Sequence, residues 1–142
     1  MSVKYWGINM YGIKDSDLKF KPIEQLLQIQ EVKDFMKGAD KSREVDLDVI
    51  LEDVVFGGYD EAVVKLPNGK QVSIDATYVE DYEYSCIYGF SAGYPWEKYM
   101  QGITKDDVHD ALWCIFGEYL DMTKAEFIDK CGKISTCNCD WE

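Results

Sequence analysis

The chain has 142 residues and a formal net charge of −12, with 46% apolar and 30% charged residues. This length suffices for one domain with its own core, and the composition excludes wholesale disorder. The sequence shows neither a signal-peptide pattern nor an apolar run of membrane-spanning length, and its five cysteines are an odd number. We therefore expect a cytoplasmic protein with reduced thiols.

The negative charge is concentrated in the middle of the chain. Residues 44–97 include twelve acidic and two basic residues, whereas residues 1–43 include six acidic and eight basic ones. Such a field repels nucleic-acid phosphates and anionic lipids, so direct binding to either is disfavoured. The same field attracts basic protein surfaces, although acidic charge also serves solubility alone.

The first half of the chain predicts one strand and two helices. Apolar alternation over residues 5–11 predicts a strand with one buried side. Pro22 stands at a first helical position, and helical apolar spacing continues to Gly38, which predicts an amphipathic helix. In EVDLDVILEDVVFGG the β-branched residues favour a strand, but the apolar spacing and a cap at Asp46 favour a helix, which we adopt.

A β-hairpin is the clearest local prediction. Residues 61–66 and 71–77 flank a turn at residues 67–70 that contains Asn-Gly, a pair that tolerates the positive φ angles of a tight turn. Residues 82–87 and 90–94 are expected to extend the same antiparallel sheet.

The last third of the chain predicts two helices and a tail. Thr104 opens the first helix, and Thr123 with Glu126 fits a capping box at the start of the second. Residues 132–142 are expected to form an irregular tail. Together the elements predict a single acidic α+β domain over residues 1–142, with helices packed on one face of a small antiparallel sheet.

Cysteine and histidine form no strong chemical pattern. The weak zinc candidates Cys131, Cys137 and Cys139 have a Cys-x-Cys spacing without a second cysteine pair. His109 is the only histidine, and no nucleophile–base spacing links it to Cys114. The glycines match no phosphate-binding loop. We therefore expect no metal, no cofactor and no enzymatic activity.

Residues 75–96, DATYVEDYEYSCIYGFSAGYPW, contain seven aromatic and four acidic residues and neither lysine nor arginine. One strand of a small domain does not readily bury so much aromatic surface, because each ring covers about 150–250 Å². We expect some tyrosines to reach the surface, where aromatic anchors and steering charges are typical of a recognition patch. The alternative, that most rings form core and cross-strand pairs, stays open.

The leading hypothesis is a non-catalytic interaction or inhibitor protein. Its acidic, tyrosine-rich surface would occupy a basic groove on a protein partner in place of nucleic acid, as expected of immunity proteins and phage anti-defence proteins. The predicted contacts are Asp46, Asp48, Glu52, Asp53, Asp60, Glu61, Glu80, Asp81 and Glu83 for charge, and Tyr82, Tyr84 and Tyr88 as anchors.

Two other classes of function remain as alternatives. The first is a small-molecule-binding protein whose aromatic residues line a pocket for a nucleotide-like ligand. The second, and less favoured, is a small enzyme that uses His109, Cys114 or the carboxylates of Asp106 and Asp110.

Overall fold

A computed structural model of the chain describes residues 3–38, 44–79, 86–91 and 102–141, with side chains described between residues 10 and 134 of those ranges. Its strands are β1 Val3–Lys14, β2 Glu61–Lys65, β3 Gln71–Tyr78, β4 Cys86–Ser91 and β5 Gly132–Trp141. They form one sheet in the order β2-β3-β4-β1-β5, and every neighbouring pair is antiparallel.

Helices lie between β1 and β2 and between β4 and β5. The α-helices are α1 Ile23–Leu26, α2 Gln30–Gly38, α3 Leu47–Val49, α4 Lys105–Phe116 and α5 Lys124–Lys130. A π-helix, Ile50–Val55, continues α3 without a break, and 3-10 turns lie at Asp15–Asp17 and Gly117–Tyr119. The predicted α+β class is confirmed. None of the helices in the described ranges combines the length and apolarity that crossing a membrane requires.

The main core lies between α4 and one face of the sheet, which we call the inner face. Tyr11 and Ile13 of β1 and Val72 and Ile74 of β3 belong to this face. The residues of α4 that pack in the same cluster are Val108, Ala111, Leu112 and Phe116. These residues recur at helical spacing, so one side of α4 is buried along its length.

The opposite, outer face of the sheet also buries apolar side chains. Met10, Ile87 and Ile134 form a separate buried cluster there, although Met10 is the direct neighbour of buried Tyr11. Successive residues of a strand point to opposite faces, so β1 is buried on both sides near its middle. The prediction of a first strand with one buried side is therefore wrong.

The helix predicted after Pro22 is divided into α1 and α2. The amide of Gln28 donates to the carbonyl of Gln25, and that of Ile29 to the carbonyl of Leu26, both at 3.1 Å. These bonds span three residues and tighten the chain after α1. Both Leu26 and Ile29 are thereby buried in a second apolar cluster.

The C-terminal segment is a strand and not the irregular tail that we predicted. It pairs with β1 from Gly12 opposite Gly132 to Val3 opposite Trp141. The polar sequence of this segment carries little apolar alternation. Its extended form depends on pairing with an edge of β1 that is remote in sequence, which local propensity does not reveal.

Candidate functional site

Two adjoining clefts open on the inner face, where β3 ends and β4 begins. The first has a volume of about 270 Å³, and the second has a volume of about 550 Å³. The segment from Leu47 to Asp60 forms one wall, and the end of the sheet forms the other. The described residues that line both clefts are Leu51, Glu52, Tyr78 and Tyr88.

The wall segment has an unusual helical geometry. Asp46 caps α3, because its carboxylate accepts from the amide of Val49 at 2.9 Å. The π-helix then ends where the amide of Phe56 donates to the carbonyl of Leu51 at 3.1 Å. Gly57 and Gly58 follow with φ angles of 61° and 85°, which glycine adopts without strain. They turn the chain from the π-helix towards β2.

Two aromatic rings that line the first cleft pack with a third, buried ring. The rings of Phe56 and Tyr88 are stacked with centroids 5.6 Å apart, and Phe116 meets Tyr88 edge-on at 4.8 Å. Tyr88 is only 5% exposed, and burial raises the pKa of its hydroxyl far above the ordinary value. The prediction of Tyr88 as an exposed anchor is wrong, because its ring completes this core contact.

Two other tyrosines are exposed at the first cleft. Tyr59 is 76% exposed and Tyr78 is 61% exposed. Partial burial raises the pKa of the Tyr78 hydroxyl, and the negative charges of Glu52, Asp60 and Asp48 raise it further. Each of these three carboxylates belongs to the wall segment and lines a cleft together with Tyr78.

Some of the acidic residues that were predicted as partner contacts line the clefts, and others do not. Among the described residues that line the clefts, there are five carboxylates and neither lysine nor arginine. Four of these were predicted as contacts, and Asp15 was not. The carboxylates are those of Asp15, Asp48, Glu52, Asp53 and Asp60.

Two predicted acidic contacts lie away from the clefts. The carboxylate of Asp46 is engaged in the cap of α3. Glu61 pairs with Asp75 across β2 and β3, on the outer face, where burial and the charge of Glu61 raise the pKa of Asp75. The predicted contacts Glu80, Asp81, Tyr82, Glu83 and Tyr84 lie outside the described residues.

The sequence analysis did not select Tyr59 and Tyr78, the two exposed tyrosines that line the first cleft. Tyr78 belongs to the aromatic segment at residues 75–96, and Tyr59 directly precedes Asp60 in the loop before β2. The proximity of a tyrosine to acids in a loop was the available signal. This signal was not sufficient, because the exposure of Tyr78 depends on where β3 ends.

His109 is a contact between α4 and β1. Its Nε2 lies 2.8 Å from the Tyr11 hydroxyl, and its Nδ1 lies 3.7 Å from a carboxylate oxygen of Asp106. Burial lowers the pKa of the imidazole. Cys114 is exposed while His109 is buried, and Asp110 forms an ion pair with Lys124 at 2.9 Å. The candidate catalytic residues thus have different surroundings in the fold.

Cys131 lies far along the chain from the other two candidate zinc ligands, Cys137 and Cys139. The Cys131 thiol donates to the carbonyl of Phe127 at 3.4 Å, and burial raises its pKa to about 12, which keeps it protonated. Cys137 lies six residues further along extended chain, a span of about 20 Å. Within the described ranges, no three histidine, cysteine or acidic side chains are grouped so that they could hold a metal ion.

The clefts combine features that suit a cationic group. Carboxylates attract and pair with cations, and the face of a tyrosine ring attracts them as well. The described lining provides no positive charge to hold a phosphate. Comparison of the chain with protein-family models, with curated proteins and with solved structures gives no match, so its function is inferred from these residues alone.

Proposed function

We propose that this chain is a non-catalytic inhibitor that binds a basic groove on a protein partner and occupies it in place of nucleic acid. The contact surface is formed by Asp48, Glu52, Asp60, Tyr59 and Tyr78, and we call it the acidic–tyrosine surface. The observation that carries the proposal is the position of Tyr78, which is exposed and lines both clefts together with Glu52, while Asp60 and Asp48 line one cleft each.

The composition of this surface supports protein recognition. Aromatic side chains are enriched in the buried centre of interfaces, and charges around them steer association and select partners. Glu52 and Asp48 lie four residues apart, and like charges at that helical spacing cost roughly 0.2–0.5 kcal/mol. A cationic partner removes that cost on binding.

The π-helix gives independent support. Such helices account for well under 1% of residues in globular proteins, and they occur frequently at functional sites. Here the π-helix, Ile50–Val55, carries Glu52 to the boundary that the two clefts share. A less common backbone geometry is thus found at the acidic–tyrosine surface.

The overall charge of the chain favours a partner whose basic surface normally binds nucleic acid. The net charge of −12 repels phosphates and favours the basic surfaces that proteins use to bind them. Inhibitors of the immunity or phage anti-defence type act in this way. The proposal includes a cytoplasmic location, for which the free thiols of Cys86, Cys114 and Cys131 are suited.

Affinity capture with matched charge variants tests the proposal. The immobilised chain is exposed to a lysate of its source at low and high salt, and captured proteins are identified by mass spectrometry. We expect basic, nucleic-acid-binding proteins that are lost at high salt, because electrostatic association is screened. A purified candidate must then lose nucleic-acid binding when the chain is added.

Two double variants distinguish an effect of the acidic–tyrosine surface from an effect of the overall charge. Glu52→Lys combined with Asp60→Lys should abolish capture, whereas Glu24→Lys combined with Asp129→Lys should retain most of it. The second pair makes the same charge change at exposed positions of α1 and α5. Equal loss in both variants, or affinity that ignores salt, would contradict the proposal.

Small-molecule binding is a second candidate, and the second cleft favours it. Its volume of about 550 Å³ lies within the roughly 300–1,000 Å³ of typical ligand pockets, and Leu18, Phe20 and Tyr78 contribute apolar walls. The surrounding carboxylates disfavour phosphorylated ligands. A thermal-shift screen of nucleosides, nucleotides and amines tests this function. A ligand that raises the Tm by several degrees, and fails to do so with Tyr78→Ala, would support it.

A further inference from the structure

We infer that the first cleft receives a single arginine side chain of the partner, with its guanidinium against Tyr78 and the carboxylates of Glu52 and Asp60. This inference rests on the function proposed above and specifies the chemistry that the acidic–tyrosine surface recognises. It commits to arginine and not to lysine, and the reasons are the size, walls and rigidity of the cleft.

The size of the first cleft suits one side chain. Its volume of about 270 Å³ is below the roughly 300–1,000 Å³ of pockets for drug-sized ligands. It also opens to the surface beside Tyr59 and Tyr78, which are both exposed. A side chain that projects from a larger partner can enter such a cleft, while the rest of the partner lies on the surrounding surface.

The cleft is apolar at its base and acidic at its rim. Phe56, Ala76 and buried Tyr88 form the base, while exposed Glu52 and Asp60 lie among the lining residues. Arginine matches this division, because its methylene stem covers apolar surface while its charged head stays at the polar edge.

Arginine also fits the rim better than lysine does. A guanidinium is planar, stacks on aromatic faces and donates two parallel hydrogen bonds to a carboxylate. The lysine ammonium is a compact and strongly hydrated charge, so it loses more hydration on entering the cleft. An exposed tyrosine face next to carboxylates therefore discriminates between cations of equal charge.

Hydrogen bonds fix the backbone at the two residues that carry the carboxylates. The amide of Gly58 donates to the carbonyl of Glu52 at 2.7 Å, and the amide of Ala76 donates to the carbonyl of Asp60 at 2.8 Å. The first bond fixes the turn to the π-helix, and the second fixes Asp60 to β3. A fixed backbone limits the positions that the two carboxylates can reach, which lowers the entropy cost of binding.

Peptide binding tests the inference directly, because a short peptide presents the same side chain as a whole partner. Three lysine-rich peptides of identical sequence carry arginine, lysine or citrulline at one central position, and their affinities are measured by calorimetry at low salt. Citrulline has nearly the shape of arginine but no charge. We expect the arginine peptide to bind about threefold to tenfold more tightly than the lysine peptide, and the citrulline peptide to bind most weakly.

A matched pair of variants locates the preference. Tyr78→Ala should reduce the arginine-to-lysine ratio to less than about twofold, because the stacking surface is lost. Val63→Ala should leave the ratio unchanged. Val63 is also 61% exposed, but it pairs with Ser73 on the outer face. Both variants should fold, because neither side chain is buried.

The outcomes distinguish this inference from the proposed function. Equal binding of the arginine and lysine peptides, or a ratio that survives Tyr78→Ala, overturns the inference. The proposed function then still stands if capture is salt-sensitive and is lost in the Glu52→Lys, Asp60→Lys variant. Failure of all three peptides to bind overturns the inference whatever the capture experiment gives. Failure of capture as well overturns both.

Discussion

The ammonium group of Lys70 lies 2.9 Å from a carboxylate oxygen of Asp107, and this ion pair joins the β2–β3 turn to the first turn of α4. The same carboxylate accepts from the side-chain amide of Asn68 and from the backbone amide of Thr104, both at 3.0 Å. The Asp107 side chain is only 8% exposed. One buried carboxylate thus holds a hairpin against a helix that packs on the inner face.

Replacing Asp107 with asparagine should destabilise the fold. The hydrogen bonds from Lys70 and Thr104 hold the pKa of this carboxyl far below its usual range, and hydrogen bonds to a charged group contribute about 1.5–3 kcal/mol. We expect a loss of that size in the free energy of unfolding at pH 7, measured by urea denaturation. Asp129→Asn, an exposed change on α5, should alter the value by less than about 0.5 kcal/mol.

The difference between wild type and Asp107→Asn should depend on pH. The folded pKa of Asp107 is lowered, so the stabilising effect is complete above the unfolded pKa of about 3.9. It decreases as the pH falls below that value towards the folded pKa. Denaturation at pH 7, 4 and 2.5 should show the two curves converging in acid. A constant difference would contradict the assignment.

His109 should give the protein a second pH dependence. Burial lowers the imidazole pKa in the folded state, so the unfolded chain binds the proton more readily. The free energy of unfolding should therefore decrease as the pH falls through the unfolded pKa of about 6.5. The charges of Asp106, Asp110, Lys105 and Lys124 also act on the ring.

Unfolding measured between pH 7.5 and 5 tests the role of His109. The decrease should be smaller in His109→Gln, which cannot titrate. Tyr11→Phe removes the 2.8 Å hydrogen bond and should lower the stability by about 0.5–1.5 kcal/mol at pH 7.5. Identical pH profiles of wild type and His109→Gln would show that the imidazole does not titrate differently on folding.

A close approach of β1 and β4 predicts a position that tolerates only glycine. A Cβ atom on Gly12 would lie 2.0 Å from the carbonyl oxygen of Tyr88 and 2.5 Å from Cα of Gly89. Gly12→Ala should cost about 2–3 kcal/mol or prevent folding. Gly132 pairs directly with Gly12, but a Cβ there meets no atom of the described residues within 4 Å. Gly132→Ala should therefore be nearly neutral in thermal denaturation.

Removing charge from the acidic–tyrosine surface should weaken binding without weakening the fold. Glu52→Gln should leave the free energy of unfolding unchanged or raise it by up to roughly 0.5 kcal/mol, since a like-charge pair with Asp48 is relieved. Affinity for the arginine peptide should fall in the same variant. A clear loss of stability would show that Glu52 serves the fold, and would remove the argument that its charge is kept for a partner.

Local sequence chemistry predicted several elements correctly. The Asn-Gly turn, with Gly69 at a φ of 86°, the helix start at Thr104 and the capping box of Thr123 with Glu126 depend on residues close in the chain. The helix over the EVDLDVILEDVVFGG segment was also predicted. Its π-form was not, because the apolar spacing that defines the buried side does not distinguish the two hydrogen-bond patterns.

The features that the sequence did not reveal depend on contacts remote in the chain. Tyr88 is buried because Phe56 and Phe116 meet it, and neither is near it in sequence. The exposure of Tyr78 depends on β3 ending at that residue. Four of the cleft carboxylates were predicted from charge alone, because acidic residues are concentrated in that part of the sequence.

The position of β1 has a consequence for synthesis of the protein. β1 lies between β4 and β5, and its register pairs Val3 with Trp141. During synthesis β1 therefore gains its second neighbour only after β5 has emerged from the ribosome. Pairing between segments so distant in sequence is slow, so a nascent or truncated chain presents an open strand edge to chaperones and to other chains.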